Sequence, residues 1–171
     1  TGDEAVTRAR AVFLDFDGTM ARMHPSHYGL YARAATECGV PLTELAFAQQ
    51  TVGDAWARWM TPLGPVHDAE SSSEAAFREV RIAIACDRIA LARPGIDPAT
   101  LRRIGERAAE LERDASYFHL YEDSRPALER YRAAGLDAVI VSNHVWHLPE
   151  IVEALGIGPL VRAVISSARV G

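Results

Sequence analysis

Residues 11–19 read Ala11-Val12-Phe13-Leu14-Asp15-Phe16-Asp17-Gly18-Thr19, and the fold turns on that stretch. From Ala11 to Phe16 the run is nearly continuous in apolar residues and does not alternate with polar ones. Such a run suits a strand of a parallel sheet, buried on both faces. It ends in two carboxylates, and Gly18 breaks it. Two later segments repeat the pattern: Asp137-Ala138-Val139-Ile140-Val141-Ser142 and Arg162-Ala163-Val164-Ile165-Ser166.

Helical spacing surrounds these strands. Asp123-Ser124-Arg125-Pro126 reads as a helix start, with cap candidates and an early proline. Leu128, Tyr131 and Ala134 follow on one face, and Gly135 ends the segment. After the second strand, Leu148, Ile151, Val152 and Leu155 again fall at helical spacing, with Gly156 as the stop. Strands alternating closely with helices are the mark of βαβ units and a parallel sheet.

The stretch from 24 to 118 differs, because it contains no convincing strand. Tyr28, Tyr31, Ala35 and Cys38 share one helical face, and Leu45, Ala48, Val52, Ala55 and Trp59 share another. Phe77, Val80, Ile84 and Ile89 predict a third helix. Leu101, Ile104, Ala108 and Leu111 predict a fourth, opened by Asp97-Pro98. Breaks fall at Gly39-Val40-Pro41, over 61–65 and at Arg93-Pro94-Gly95, and Ser71-Ser72-Ser73 reads as a cap region. The expectation is an α/β fold with a Rossmann-like three-layer core and an α-helical bundle inserted after the first strand. The core takes 1–20 and 119–171, and the helical cap takes 21–118. Trp56, Trp59 and Phe77 read as cap core rather than a substrate cage.

Composition narrows the function. The net charge of −5 lacks the basic footprint of a general nucleic-acid binder. No apolar run is long enough to span a bilayer. Residues 1–8 are polar and do not read as a secretion signal, so the cytoplasm is the expected compartment. Cys38 and Cys86 read as reduced thiols in such a compartment. All 18 basic residues are arginine, so no chemistry that needs a lysine ammonium comes from this stretch of chain.

Asp15 and Asp17 carry the chemistry. Parallel sheets bind ligands at the C-terminal ends of their strands, and residues two apart project from one face. Two carboxylates so placed resist joint ionisation unless a cation is present or their affinities for protons split. One can act as a nucleophile toward phosphorus or carbon, and the other as general acid and then base. A hard divalent cation would screen both. Gly18 permits a tight turn and close approach of a ligand, while Thr19 offers a hydroxyl and an amide.

The motif Asp15-Phe16-Asp17-Gly18-Thr19 after an apolar strand resembles the first motif of the haloacid dehalogenase superfamily. Ser142, at the end of the next core strand and followed by Asn143, resembles its second motif. The helical insertion resembles the cap placed directly after the first strand, and the likeness is greatest to phosphoglycolate-phosphatase-like members. The resemblance implies a magnesium-dependent hydrolase of small phosphomonoesters. Asp15 would form an aspartyl-phosphate and Asp17 would be the general acid/base. Both would hold Mg2+, Asp15 by its side chain and Asp17 by its backbone carbonyl. Gly18, Thr19, Ser142 and Asn143 would bind the phosphoryl group. Carbon–halogen hydrolases of the superfamily do not keep the second aspartate as an acid, so Asp17 favours phosphoryl transfer.

Two elements of the family pattern are missing. A lysine after the third strand and an acidic pair after the fourth do not occur before Gly171. A strand of buried type at 11–16 also has too few neighbours with only three strands. The core is therefore expected to be completed by a C-terminal continuation or a second chain. The competing expectation is a non-catalytic remnant of the fold that binds a phosphorylated ligand or partner. Among other residues, Arg22, His24 and His27 should lie at the hinge into the cap. Arg22 reads as a surface residue rather than an anion clamp. His144 and His147 read as caps of the following helix rather than metal ligands.

Overall fold

The structure is a computed structural model that describes residues 10–48, 72–143 and 145–170. Val52, Ala55, Trp56, Trp59, the break at 61–65 and His144 lie outside the described residues. In chain order the elements are β1 (Ala11–Leu14), β2 (Ala21–Met23), α1 (His27–Glu37), α2 (Leu45–Ala48), α3 (Glu74–Ala92) and α4 (Pro98–Leu111). They continue with β3 (Phe118–Leu120), α5 (Ser124–Ala133), β4 (Asp137–Ser142), α6 (Leu148–Ala154), β5 (Ala163–Ser166) and α7 (Ser167–Val170).

The three apolar runs form one parallel sheet in the order β1-β4-β5. Leu14 lies opposite Ile140, and Ser142 opposite Ser166. This register brings the C-terminal ends of all three strands to one edge of the sheet. Helices α5 and α6 cover one face, where Ala138 and Ile140 pack with Leu128, Leu148, Ile151 and Val152. On the other face Phe13, Val141 and Ile165 are exposed apolar side chains, Phe13 at 70%. The strands are thus apolar on both faces, as their pattern predicts, but among the described residues the second face is covered only in part, with Val139 buried and Phe13, Val141 and Ile165 exposed. Strand β1 stands at the edge of this sheet.

The caps that the sequence advertises are largely in place. Ser73 accepts the amide of Ala76 at the head of α3, and Asp97 accepts that of Thr100 at the head of α4, with Pro98 in its first turn. Each such cap contributes about 1 kcal/mol. Asp123 stands at the head of α5 but makes no side-chain capping bond; the Ser124 hydroxyl turns away to the Met20 carbonyl instead. Helices α1 to α4 gather around Leu30, Tyr31, Phe47, Ile89 and Ile104 in a second hydrophobic cluster. Gly105 allows α4 to approach α3 closely, since a Cβ there would sit 2.7 Å from Cys86 Sγ. Cys38 and Cys86 are both free and half-buried.

Two features depart from the sequence reading. Strands β2 and β3 form an antiparallel ribbon, Arg22 opposite His119, at the junction between the helices and the sheet. Each strand is three residues long, too short to show a period. Phe77 belongs to the cluster around the sheet rather than to that of the helices, and its ring lies 6.3 Å from that of Trp146. Helix α3 thereby bridges the two clusters.

Candidate active site

Strand β1 stops at Leu14, and the next three residues alternate outward and inward. Phe16 is fully buried with its ring 6.1 Å from that of Phe118. Asp15 and Asp17 on either side of it are exposed. The chain then doubles back. The amides of Thr19, Met20 and Ala21 all donate to the Phe16 carbonyl, and the Gly18 amide donates to the Ala21 carbonyl at 2.8 Å. Gly18 has φ of +76° with open space around it, so its backbone, not crowding, demands glycine. The loop is anchored from α5, because the Met20 carbonyl accepts both the Ser124 hydroxyl at 2.7 Å and the Tyr121 amide at 3.0 Å.

The Asp15 carboxylate receives a hydroxyl on each oxygen. Ser142 Oγ donates to Oδ1 at 2.6 Å, and Thr19 Oγ1 donates to Oδ2 at 3.4 Å. Ser142 is itself 6% exposed. Asp15, Asp17, Ser142 and Asn143 line an open cleft of about 590 Å3 together with Val141, Ile165, Ser167 and Val170. Thus the structure brings together Asp15, Asp17, Ser142 and Asn143. Thr19 joins them through Asp15, and Gly18 shapes the loop without lining the cleft. Ser167 was not anticipated. The signal was available, because it directly follows the third apolar strand, at the sheet edge where parallel sheets bind ligands.

The donor set at this edge is all oxygen: two carboxylates and the hydroxyls beside them. Such donors suit a hard cation, and Mg2+ keeps several waters and needs only one or two carboxylates from protein. Asp15 would meet that demand with its carboxylate, and Asp17 with its backbone carbonyl. Among the described residues no group of three or more His, Cys, Asp or Glu side chains converges on a common point.

A buried polar cluster lies among α1, α3 and the end of α4. Glu112, 3% exposed, is gripped by Arg81 through Nε at 2.9 Å and Nη2 at 2.7 Å, and the Tyr31 hydroxyl adds a bond at 3.3 Å. Burial pushes the Tyr31 hydroxyl up to about 12, aided by the Glu112 charge. His27, at the head of α1, feels the charges of both this cluster and Asp17. Burial lowers its pKa most, Arg81 and Arg88 add to that, and Glu112 and Asp17 pull the other way. Arg22 is exposed on the ribbon, as expected of a surface residue.

His147 does not cap α6 with its side chain. Its Nε2 lies 3.3 Å from Glu74 at the head of α3. Burial chiefly lowers the pKa of His147, with Arg113 acting alike and Glu74 and Glu150 opposing. Among the described residues, no helix is long and apolar enough to cross a membrane.

Comparison with known proteins adds to this geometry. A family model described as haloacid dehalogenase-like hydrolase matches residues 9–171. No curated protein matches the sequence. Among solved structures, a predicted phosphoglycolate phosphatase from Haemophilus somnus is 17% identical, with a TM-score of 0.55 over 95% of this chain and 64% of its own. An L-2-haloacid dehalogenase from Xanthobacter autotrophicus is 19% identical, with a TM-score of 0.52 over 93% of this chain and 57% of its own. A HAD-hydrolase from Bacillus subtilis bound to magnesium is 19% identical, with a TM-score of 0.53 over 92% and 64%. The chain therefore spans less than two thirds of the length of these relatives in structure. At such identity the likeness is one of fold: an α/β, Rossmann-like parallel sheet with helices.

Proposed function

The chain belongs to the haloacid dehalogenase-like hydrolases, and from that premise we propose that its cleft hydrolyses small phosphomonoesters through an aspartyl-phosphate. One observation carries the reading. Asp15 has both oxygens ordered by hydroxyls, and a second carboxylate, Asp17, lines the same open cleft. A nucleophile and a separate acid are what phosphoryl transfer to and from a side chain requires.

In this mechanism an Asp15 oxygen attacks phosphorus and the ester P–O bond breaks. Asp17, as the carboxylic acid, protonates the departing alkoxide. Asp17 then takes a proton from water, whose oxygen attacks the phosphorus of the aspartyl-phosphate. Inorganic phosphate leaves and the Asp15 carboxylate is restored. Ser142 Oγ turns from Asp15 to a phosphoryl oxygen, with the Asn143 amide beside it. Asp15, by its carboxylate, and Asp17, by its backbone carbonyl, would hold magnesium, whose positive charge would offset repulsion between the anionic nucleophile and the anionic substrate.

The helices between β2 and β3 act as a cap over 21–118, on a core of 1–20 and 119–171. Their closure excludes water and selects the substrate. A small phosphorylated metabolite of the cytoplasm, with no nucleic acid or membrane involved, is the proposed ligand. The 171 residues hold no lysine, which favours a second reading: this part of the fold binds a phosphorylated ligand without turning it over, unless a C-terminal continuation or a second chain supplies the ammonium.

Asp15→Asn, assayed with an aryl phosphate and magnesium, decides among these. Turnover by the wild type and none by the variant supports the proposal. Wild-type rates in the variant overturn it. Halide release from a 2-haloacid, without phosphate release, moves the assignment to carbon–halogen hydrolysis. Binding of phosphate without any turnover supports the second reading.

A further inference from the structure

Ser142 ends β4 and Asn143 opens the loop that follows it, and three contacts tie that loop to the end of β5 and to α7. Ser166, 1% exposed, donates its hydroxyl to the Val145 carbonyl at 3.1 Å. Arg169 donates Nε to the Trp146 carbonyl at 2.5 Å. The same guanidinium lies 5.6 Å over the Trp146 ring and reaches both carboxylate oxygens of Glu150 at 2.6 Å. An exposed ion pair alone fixes little. Here, however, one planar fork holds a backbone carbonyl, a ring face and a carboxylate at once. Ser167 and Val170, in the same segment, line the cleft with Ser142 and Asn143.

We propose that Ser166 and Arg169 are positioning residues for the loop that presents Ser142 and Asn143 to the phosphoryl group. They hold the Val145 and Trp146 carbonyls, so the loop cannot pull the backbone of Ser142 and Asn143 out of place beside Asp15. This inference rests on the phosphomonoester reading for its effect on rate, but not for its effect on the loop. Neither residue touches the reacting atoms. Both act through the backbone three and four positions beyond Ser142.

The test uses Arg169→Gln and Arg169→Lys, with Ser166→Ala as a second route to the same loop. Steady-state kinetics with an aryl phosphate should show kcat falling about 10- to 100-fold in Arg169→Gln, as a displacement near 1 Å does, with KM changing less. Arg169→Lys should stay impaired, because an ammonium lacks the fork. In a Ser142→Ala background, Arg169→Gln should cost little more, since the group it positions is gone. Equal factors in both backgrounds would overturn the inference. Hydrogen exchange provides the arm independent of activity. Arg169→Gln should speed exchange of the Val145 and Trp146 amides about tenfold and leave the amides of α4 unchanged. If the wild type turns over no phosphate ester, the functional reading fails, while unchanged exchange in that loop would reject the clamp itself.

Discussion

Replacing Arg81 by methionine tests the buried ion pair that joins α3 to the end of α4. Glu112 has a side chain only 4% exposed, and Arg81 grips it with two bonds of 2.7 and 2.9 Å. Methionine leaves that carboxylate buried with the Tyr31 hydroxyl at 3.3 Å and no guanidinium. Breaking such a pair by removing one partner costs about 3–5 kcal/mol. For a chain of this size each kcal/mol shifts Tm by about 2–4 °C, so Tm should fall by roughly 6–20 °C. Replacing both partners, Arg81→Met with Glu112→Leu, should recover most of the loss, because no uncompensated charge remains. The pair also sets a pH dependence. Burial is the largest influence on the Glu112 carboxyl and pushes it up. Attraction to Arg81 and His27 and bonds from Arg81 and Tyr31 outweigh it, leaving the folded pKa below the ordinary 4.5. A depressed folded pKa gives stability that is present above the unfolded value and lost as pH falls through the folded one. The wild type should therefore lose stability below about pH 4.5, and Glu112→Gln should show a shallower acid slope. Urea unfolding followed by circular dichroism from pH 3.5 to 7 measures both. A cost under about 1 kcal/mol for Arg81→Met at pH 7, or an unchanged acid slope in Glu112→Gln, would refute the reasoning.

Three further outcomes are expected. Ser142→Ala removes the hydroxyl on Asp15 Oδ1 and should lower kcat by about 10²–10³, the usual loss for one such donor, with Tm nearly unchanged by calorimetry. Gly18→Ala meets no steric obstacle but must adopt φ of +76°, so denaturant titration should show a loss of about 1–2 kcal/mol. Chelation of divalent cations should abolish aryl phosphate turnover, and added magnesium should restore it, as read by release of inorganic phosphate.

What the residues alone determined is local. The apolar runs at 11–16 and 137–142, the carboxylates ending the first and the serine ending the second, and the caps at Ser73 and Asp97 all declare themselves through neighbours a few positions apart. Periods and capping patterns express backbone hydrogen bonding, which is short-range along the chain. The tertiary structure decided which of these pieces meet. Ser142 reaches Asp15 across 127 positions only because β4 pairs with β1 in one register. Phe77 joined the sheet's cluster, His147 turned to Glu74 instead of capping its helix, and the three-residue ribbon of β2 and β3 formed without a readable period. Ser167 entered the cleft because β5 lies beside β4. Such partnerships depend on how helices and strands stack, and burial against a distant element leaves no spacing in the sequence from which to read it.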